Sequence, residues 1–277
     1  MNYKRIVEQL EVAMQSEEAW RKTWQSQSSL HKNWVSNHTY SGCNQMMCMI
    51  SSWEKGFTNP LWLTWNQVQE LGGTVKGQKA TPIIFFGQAK DKTDQEKTYK
   101  FAKVYNLFNI EQTGIEVPKL ELRESRLERP HDMADALQVK VSNAPHHNPC
   151  YSPSADQIRM PVTGQFESDE AYQSTFYHEC IHATGHSKRL NRDLCGAFGN
   201  EDYAREELIA EIGSVFLCTA LGVPYEVKQH ASYLASWRKA IKDDPSCITK
   251  AAKQAQQAYE YCMKQFEMMR KYDNEAA

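Results

Sequence analysis

The chain of 277 residues has no apolar run approaching the eighteen or so residues that a spanning helix needs, and its mean hydropathy is −0.67. That sets a membrane partner aside. The opening stretch MNYKRIVEQLEVAMQSEEAW is charged throughout and lacks the apolar core of a secretory signal, so a cytoplasmic location is expected. Repeats and low-complexity runs are also missing, and 11% aromatic residues are too many for a chain without a core. The eight cysteines contain no CxxC pair. They read as reduced thiols rather than a disulfide frame, and the spacing argues against a four-cysteine zinc site.

Acid is locally scarce. Between residues 19 and 90 only Glu54 and Glu70 stand against seven basic residues, and six of the seven tryptophans fall between positions 20 and 65. Residues 1–110 hold 13 Lys/Arg against 9 Asp/Glu, whereas the remainder holds 19 against 25. Halves with balances of +4 and −6 suggest two tasks. The composition shifts between residues 111 and 130, where charges crowd around Pro118 and Pro130.

Apolar spacing predicts helices over 2–24, 43–55, 66–71, 131–137, 169–183, 203–221, 226–242 and 246–271, several closed by glycine. Strands are expected over 81–87 and 101–108, joined by a Lys-rich hairpin loop. A half-buried strand at 157–160, with prolines flanking its neighbourhood, suits an edge. An edge beside a metal helix could take an extended peptide by strand pairing, with plain sheet structure as the competing reading. The expected class is α+β: a mixed α/β domain over 1–115, a linker over 116–130, and a second domain over 131–277 with a helical C-terminus.

The sharpest motif is His178-Glu179-Cys180-Ile181-His182. Residues four apart share a helix face, so both imidazoles can reach one cation, and Glu179 beside them suits a general base. A metzincin third ligand would stand at Lys188, which excludes that pattern. The gluzincin pattern wants a Glu on a following helix, and Glu207 and Glu211 supply a pair on one face. Glu207 is read as the third ligand and Glu211 as the outer carboxylate that orients a ligating His, the exchanged roles being the alternative. His186 is a weaker ligand candidate, and His146 and His147 read as loop residues. Tyr203 and His186 are candidates for stabilising an oxyanion. Cys180 reads as a small buried filler. The donor types favour Zn2+, and Mn2+ or Co2+ could take the same site. A purely structural metal is the competing reading.

Aromatic rings spaced through a basic, acid-poor segment suit single-stranded nucleic acid, because bases stack on rings while lysines follow phosphates. Trp34, Tyr40, Trp62 and Trp65, with Lys32, Lys55, Lys76 and Lys79, are the candidates, joined by Trp53 and Phe86. The competing reading places the rings in a core.

Several blocks resemble a known family. Trp34…Tyr40-Ser-Gly-x-Asn44, Pro60-Leu-Trp-Leu-Thr-Trp-Asn-Gln67, Leu71-Gly-Gly-x-Val-Lys-Gly77 and Phe108-Asn109-x-x-Gln112 are similar to the N-terminal domain of ArdC-type antirestriction proteins. Tyr151…Asp156-x-Ile158-x-Met-Pro161, the HExxH run through Arg192, and Glu206-Glu-Leu-x-Ala-Glu211 resemble the second half of that family. The resemblance implies an N-terminal single-stranded-DNA-binding domain and a C-terminal zincin-like metallopeptidase fold. It implies a protein that shields incoming mobile-element DNA from host restriction, with a restriction subunit or DNA-bound protein as possible substrate. The alternative is a single-strand-coating protein whose metal domain is structural, without proteolysis. Cys180 and Ala183 depart from the family's usual residues, and neither removes a ligand.

Overall fold

A computed structural model describes residues 29–90, 98–117, 131–194, 201–225, 243–244 and 246–276. The helices expected at 2–24 and 226–242, Trp20, Trp24, Trp237 and nearly all of the 116–130 segment lie outside the described residues.

The first half is built on a four-stranded sheet in the order β1-β2-β4-β3. Here β1 is Lys32–Asn33, β2 Leu61–Thr64, β3 Thr81–Lys90 and β4 Thr98–Asn109. β1 runs parallel to β2, and the other neighbours are antiparallel. Helix α1 (Gly42–Lys55) packs beside β3, and its Asn44 side chain brackets the backbone of Ile84, donating to the carbonyl and accepting from the amide at 2.8 Å each. Helix α2 (Trp65–Glu70) starts at a capping box. Thr64 Oγ1 accepts from the Gln67 amide, and Gln67 Oε1 accepts from the Thr64 amide at 2.8 Å. Gln67 and Asn33 also pair amide to amide, tying α2 to β1.

The second half contains α3 (Asp132–Leu137) and a three-stranded sheet of β5 (Lys140–Asn143), β6 (Cys150–Ser152) and β7 (Gln157–Met160). Three long helices follow: α4 (Asp169–Thr184), α5 (Glu201–Leu221) and α6 (Ser246–Ala276). The sheet order is β5-β7-β6, which corrects the expectation that 157–160 forms an edge: β7 is central, with Ile158 and Met160 buried. The strand with prolines directly on both sides is β6, between Pro149 and Pro153, and it is an edge.

One apolar cluster crosses both halves. Met46, Met47, Met49 and Ile50 of α1 share it with Phe176 and Ile181 of α4, Phe216 of α5, and Ala252 and Ala255 of α6. The N–H of Gly42 donates to Gln256 Oε1 at 3.0 Å, so the last helix also holds the start of α1.

Two expected DNA-contacting rings are core residues. Trp62 is 0% exposed, and its indole N–H donates to Nδ1 of the buried His31 at 2.7 Å. Tyr40 is buried in the same small cluster with Cys48 and Leu107. The cause is the position of β2 inside the sheet. Trp62 fills one side while Leu61 and Leu63 join a second cluster with Val68 and Ile110, so the LWLT run is covered on both faces.

Burial pushes the His31 imidazole down from 6.5 to about 3, so it is neutral while it accepts from Trp62. Because the folded value lies below the unfolded one, this contribution is complete above about pH 6.5 and is lost as pH falls towards 3. Between pH 7 and pH 5 the wild type should lose about 2 kcal/mol on this account. His31→Gln, which does not titrate, should lose correspondingly less in urea unfolding at the two pH values. Equal losses in both proteins would remove His31 from the pH dependence.

Candidate metal centre

Helix α4 carries the HExxH motif into the core. Ser168 caps it, its hydroxyl accepting from the Ala171 amide at 3.0 Å, and Asp169 and Glu170 suit the positive end of the helix dipole. Tyr172, Phe176, Tyr177 and Ile181 are all buried, so the helix is wrapped rather than laid on a surface. It ends at Gly185, whose φ is −73, so no left-handed backbone demands glycine there. Close approach does. The following loop folds back, and a Cβ at Gly185 would lie 2.7 Å from Leu194 Cδ2 and 3.1 Å from Arg192 Nη2. A similar approach joins α4 to α5, where a Cβ at Gly213 would meet Ile181 Cγ2 at 2.9 Å.

That close packing brings three donors together. His178 Nε2 is 3.1 Å from His182 Nε2. Glu207 Oε2 lies 3.5 Å from His178 Nε2, and Glu207 Oε1 lies 3.5 Å from His182 Nε2. Donors bound to one tetrahedral zinc at about 2.0–2.1 Å stand about 3.4 Å from each other. The two Glu207 distances run to different oxygens of one carboxylate; one donor atom from each side chain lies within 4.8 Å of the others, and two imidazoles with a carboxylate are a donor set such an ion takes.

Each imidazole has a carboxylate behind it. Glu206 lies 3.2 Å from His182 Nδ1, and the Arg192 guanidinium donates to both Glu206 oxygens at 2.7 and 3.0 Å. Glu211, fully buried, has Oε2 3.9 Å from His178 Nδ1. Glu206 stands in the family-like block Glu206-Glu-Leu-x-Ala-Glu211, and its spacing assigns it no role. A search for acids four apart on one face picks Glu207 and Glu211, whereas Glu206 is enlisted by Arg192 from the folded-back loop. The Glu206-Glu207 doublet was the available signal.

Burial alone would push His178 down, but the hydrogen bond to Glu207 and the charges of Glu179, Glu207 and Glu211 raise it to about 9. Burial would raise Glu207, yet hydrogen bonds from His178 and Tyr203 and the charges of both histidines lower it to about 2. Glu206 is held below the usual carboxylate range by His182 and Arg192 despite its burial.

The centre opens into a cleft of about 720 Å³. Glu179 lines it beside His178, His182 and Glu207, and the 145–149 loop with Cys150 and Tyr151 of β6 forms part of its wall. Tyr203 lines the cleft as well and hydrogen-bonds Glu207. His146 and His147 also face this space, with His147 Nδ1 3.1 Å from the Ser142 carbonyl. His186 stands apart from the three donors, its Nδ1 3.9 Å from Asp156 Oδ2. Asp156 is chelated by Arg189 and accepts from Tyr151, which fastens the loop after α4 to the β6–β7 turn. Cys180 is a buried member of the main cluster.

Of the other residues expected to meet DNA, Trp65 is 56% exposed, and Lys76 and Lys79 are exposed. Trp34 is half-buried against the Leu61–Leu63 cluster. Lys32 donates to Asn37, and Lys55 donates to the Lys79 carbonyl and lies over the Phe57 ring.

A family model described as the N-terminal domain of anti-restriction factor ArdC matches residues 1–108. A model described as a zincin-like metallopeptidase matches residues 128–254. The metal-free crystal structure of the antirestriction ArdC protein from plasmid R388 aligns with a TM-score of 0.81 at 31% identity, over 96% of this chain and 98% of that one. The chain belongs to the ArdC antirestriction family. The Mn(II)-bound structure of the same R388 protein aligns with a TM-score of 0.79, also at 31% identity. An uncharacterised protein, y4eC, of Sinorhizobium fredii is 31% identical over 92% of this chain and 89% of its own length. Two DNA primases TraC of Escherichia coli are 34% and 32% identical over 94% of this chain, which spans 26% and 19% of their lengths. Among the described residues of this ArdC-family chain, no helix is long and apolar enough to cross a membrane.

The Arg192–Glu206–His182 relay has a measurable consequence. Glu206→Gln keeps the shape but removes the charge that orients the imidazole, and should weaken divalent-metal affinity about 10- to 100-fold in a chelator competition titration. An unchanged affinity would leave Glu206 as packing alone.

Proposed function

We propose that this ArdC-family protein binds single-stranded DNA of an incoming mobile element and protects it from host restriction, with a peptidase-type metal centre in its second half. The observation that carries the enzymatic part is the meeting of His178, His182 and Glu207 at separations of 3.1 to 3.5 Å beside Glu179 in an open cleft. A divalent cation held by those three, zinc by donor type with manganese or cobalt able to replace it, supplies Lewis acidity. The remaining work belongs to the chain. Glu206 and Glu211 face the Nδ1 edges of the imidazoles and keep their Nε2 atoms aimed at one point. Glu179 takes a proton from the attacking water and returns it to the leaving amine. The β6 edge, with Cys150 and Tyr151 in the cleft wall, offers backbone groups to an extended peptide.

The substrate on this reading is a protein that acts on, or sits on, the incoming strand. DNA recognition belongs to the first half, where Trp65, Lys76 and Lys79 remain exposed and Trp62 and Tyr40 do not. Cytoplasmic action follows from that role.

Glu179→Ala separates the two parts. The variant should keep wild-type affinity for metal and for single-stranded DNA, and should lose peptide hydrolysis together with protection of transferred DNA in restricting cells. Full protection by Glu179→Ala would overturn the enzymatic account. It would leave a DNA-coating protein whose metal domain is a scaffold.

A further inference from the structure

The outer part of the β3–β4 hairpin carries a row of rings with no partner element described over them. The ladder sets Ile83 opposite Tyr105, Phe85 opposite Lys103, Gly87 opposite Phe101 and Ala89 opposite Tyr99. By strand alternation these residues share one face. Phe85 is 50% exposed, Tyr99 51% and Tyr105 41%. The rings touch in sequence: Phe85 and Tyr105 meet edge-on at 6.0 Å, and Phe85 and Phe101 are tilted at 6.2 Å. Gly87 completes the arrangement, because a Cβ there would lie 2.5 Å from Phe101 Cζ. The Phe101 ring therefore packs close over a glycine that leaves room for it.

Charge points to the occupant. The two strands contain no Asp or Glu, and by the same alternation Lys90 and Lys100 fall on the opposite face. Lys103 stands on the ring face itself, with Nζ 5.1 Å from the Tyr105 ring centroid. A face for another protein's core would be expected to be continuously apolar and depleted in lysine. Rings with a cation set among them, on strands that carry no acid, match bases that stack and a phosphate that is neutralised.

We infer that the ring face of this hairpin, Phe85, Phe101 and Tyr105 with Lys103, is a stacking platform for the bases of single-stranded DNA. The inference rests on the single-strand reading above and moves the contact from buried Trp62 and Tyr40 to the hairpin. Bases lie on Phe85 and Tyr105, and Lys103 answers the adjoining phosphate.

The test titrates the full chain against fluorescein-labelled oligothymidylate and against an abasic strand of the same length. Wild type is compared with Phe85→Ala/Tyr105→Ala and with the ring-retaining Phe85→Tyr/Tyr105→Phe, each checked by thermal melting. The alanine pair should bind oligothymidylate at least about tenfold more weakly, while its affinity for the abasic strand changes less than about threefold. The ring-retaining pair should match wild type. If wild type binds oligothymidylate and the alanine pair binds it equally, the hairpin assignment is overturned and the single-strand reading stands. Equal loss on both strands overturns the assignment too, because the loss is then not stacking. If wild type binds neither strand, the single-strand reading fails and takes the assignment with it. A wild-type dimer that the alanine pair dissociates, with DNA affinity unchanged, would make the face a self-association surface and overturn the assignment.

Discussion

Buried carboxylates govern this protein's second half. Glu179, Glu206, Glu207 and Glu211 are each at most 8% exposed, and burying that much like charge is costly unless it is answered. Arg192 answers Glu206 in a forked pair. The two imidazoles answer Glu207, and His178 is pushed up to about 9 because Glu207 and its neighbours favour its charged form. A divalent cation held where Nε2 of both histidines and the Glu207 oxygens converge would meet the same demand with more charge. The close packing of α4 on α5 at Gly213, and the loop folded over Gly185, hold those groups in one small volume. Such a cluster would weaken a core that had no ligand to gain from it.

Much of the centre was legible in the sequence for a simple reason. An i,i+4 pair of histidines on a helix has one geometry, and the second helix needed only an acid facing it. His178 and His182 were therefore readable from spacing, and Glu207 as one of a pair with Glu211 whose roles spacing left open. Glu206 was not, because its role depends on Arg192 returning over the helix end, a tertiary event that no local period encodes. The same holds for β7. Its alternation of Ile158 and Met160 with polar residues marks a half-buried strand, but only pairing with both β5 and β6 decides that it is central.

The first half shows where composition misleads. Tryptophans crowd an acid-poor stretch, yet Trp62 serves the core because β2 is covered on both faces and His31 accepts a hydrogen bond from its indole N–H. Besides Trp65, exposed rings occur on the β3–β4 hairpin, where only Phe86 was a candidate and Phe85, Tyr99 and Tyr105 did not stand out in a tryptophan count. The main apolar cluster, however, is shared between the two halves. The methionines of α1 pack into the cluster that surrounds the HExxH helix, and α6 binds the start of α1, so the first half and the HExxH helix share one packed interior.

The central claim is that His178, His182 and Glu207 form one divalent-metal site. Anomalous diffraction from crystals soaked in zinc or manganese, collected at the absorption edge of the metal, tests it directly. The account predicts one strong peak about 2.0–2.3 Å from Nε2 of both histidines and from an oxygen of Glu207. A peak coordinated without Glu207, or no peak at the HExxH helix, would contradict it.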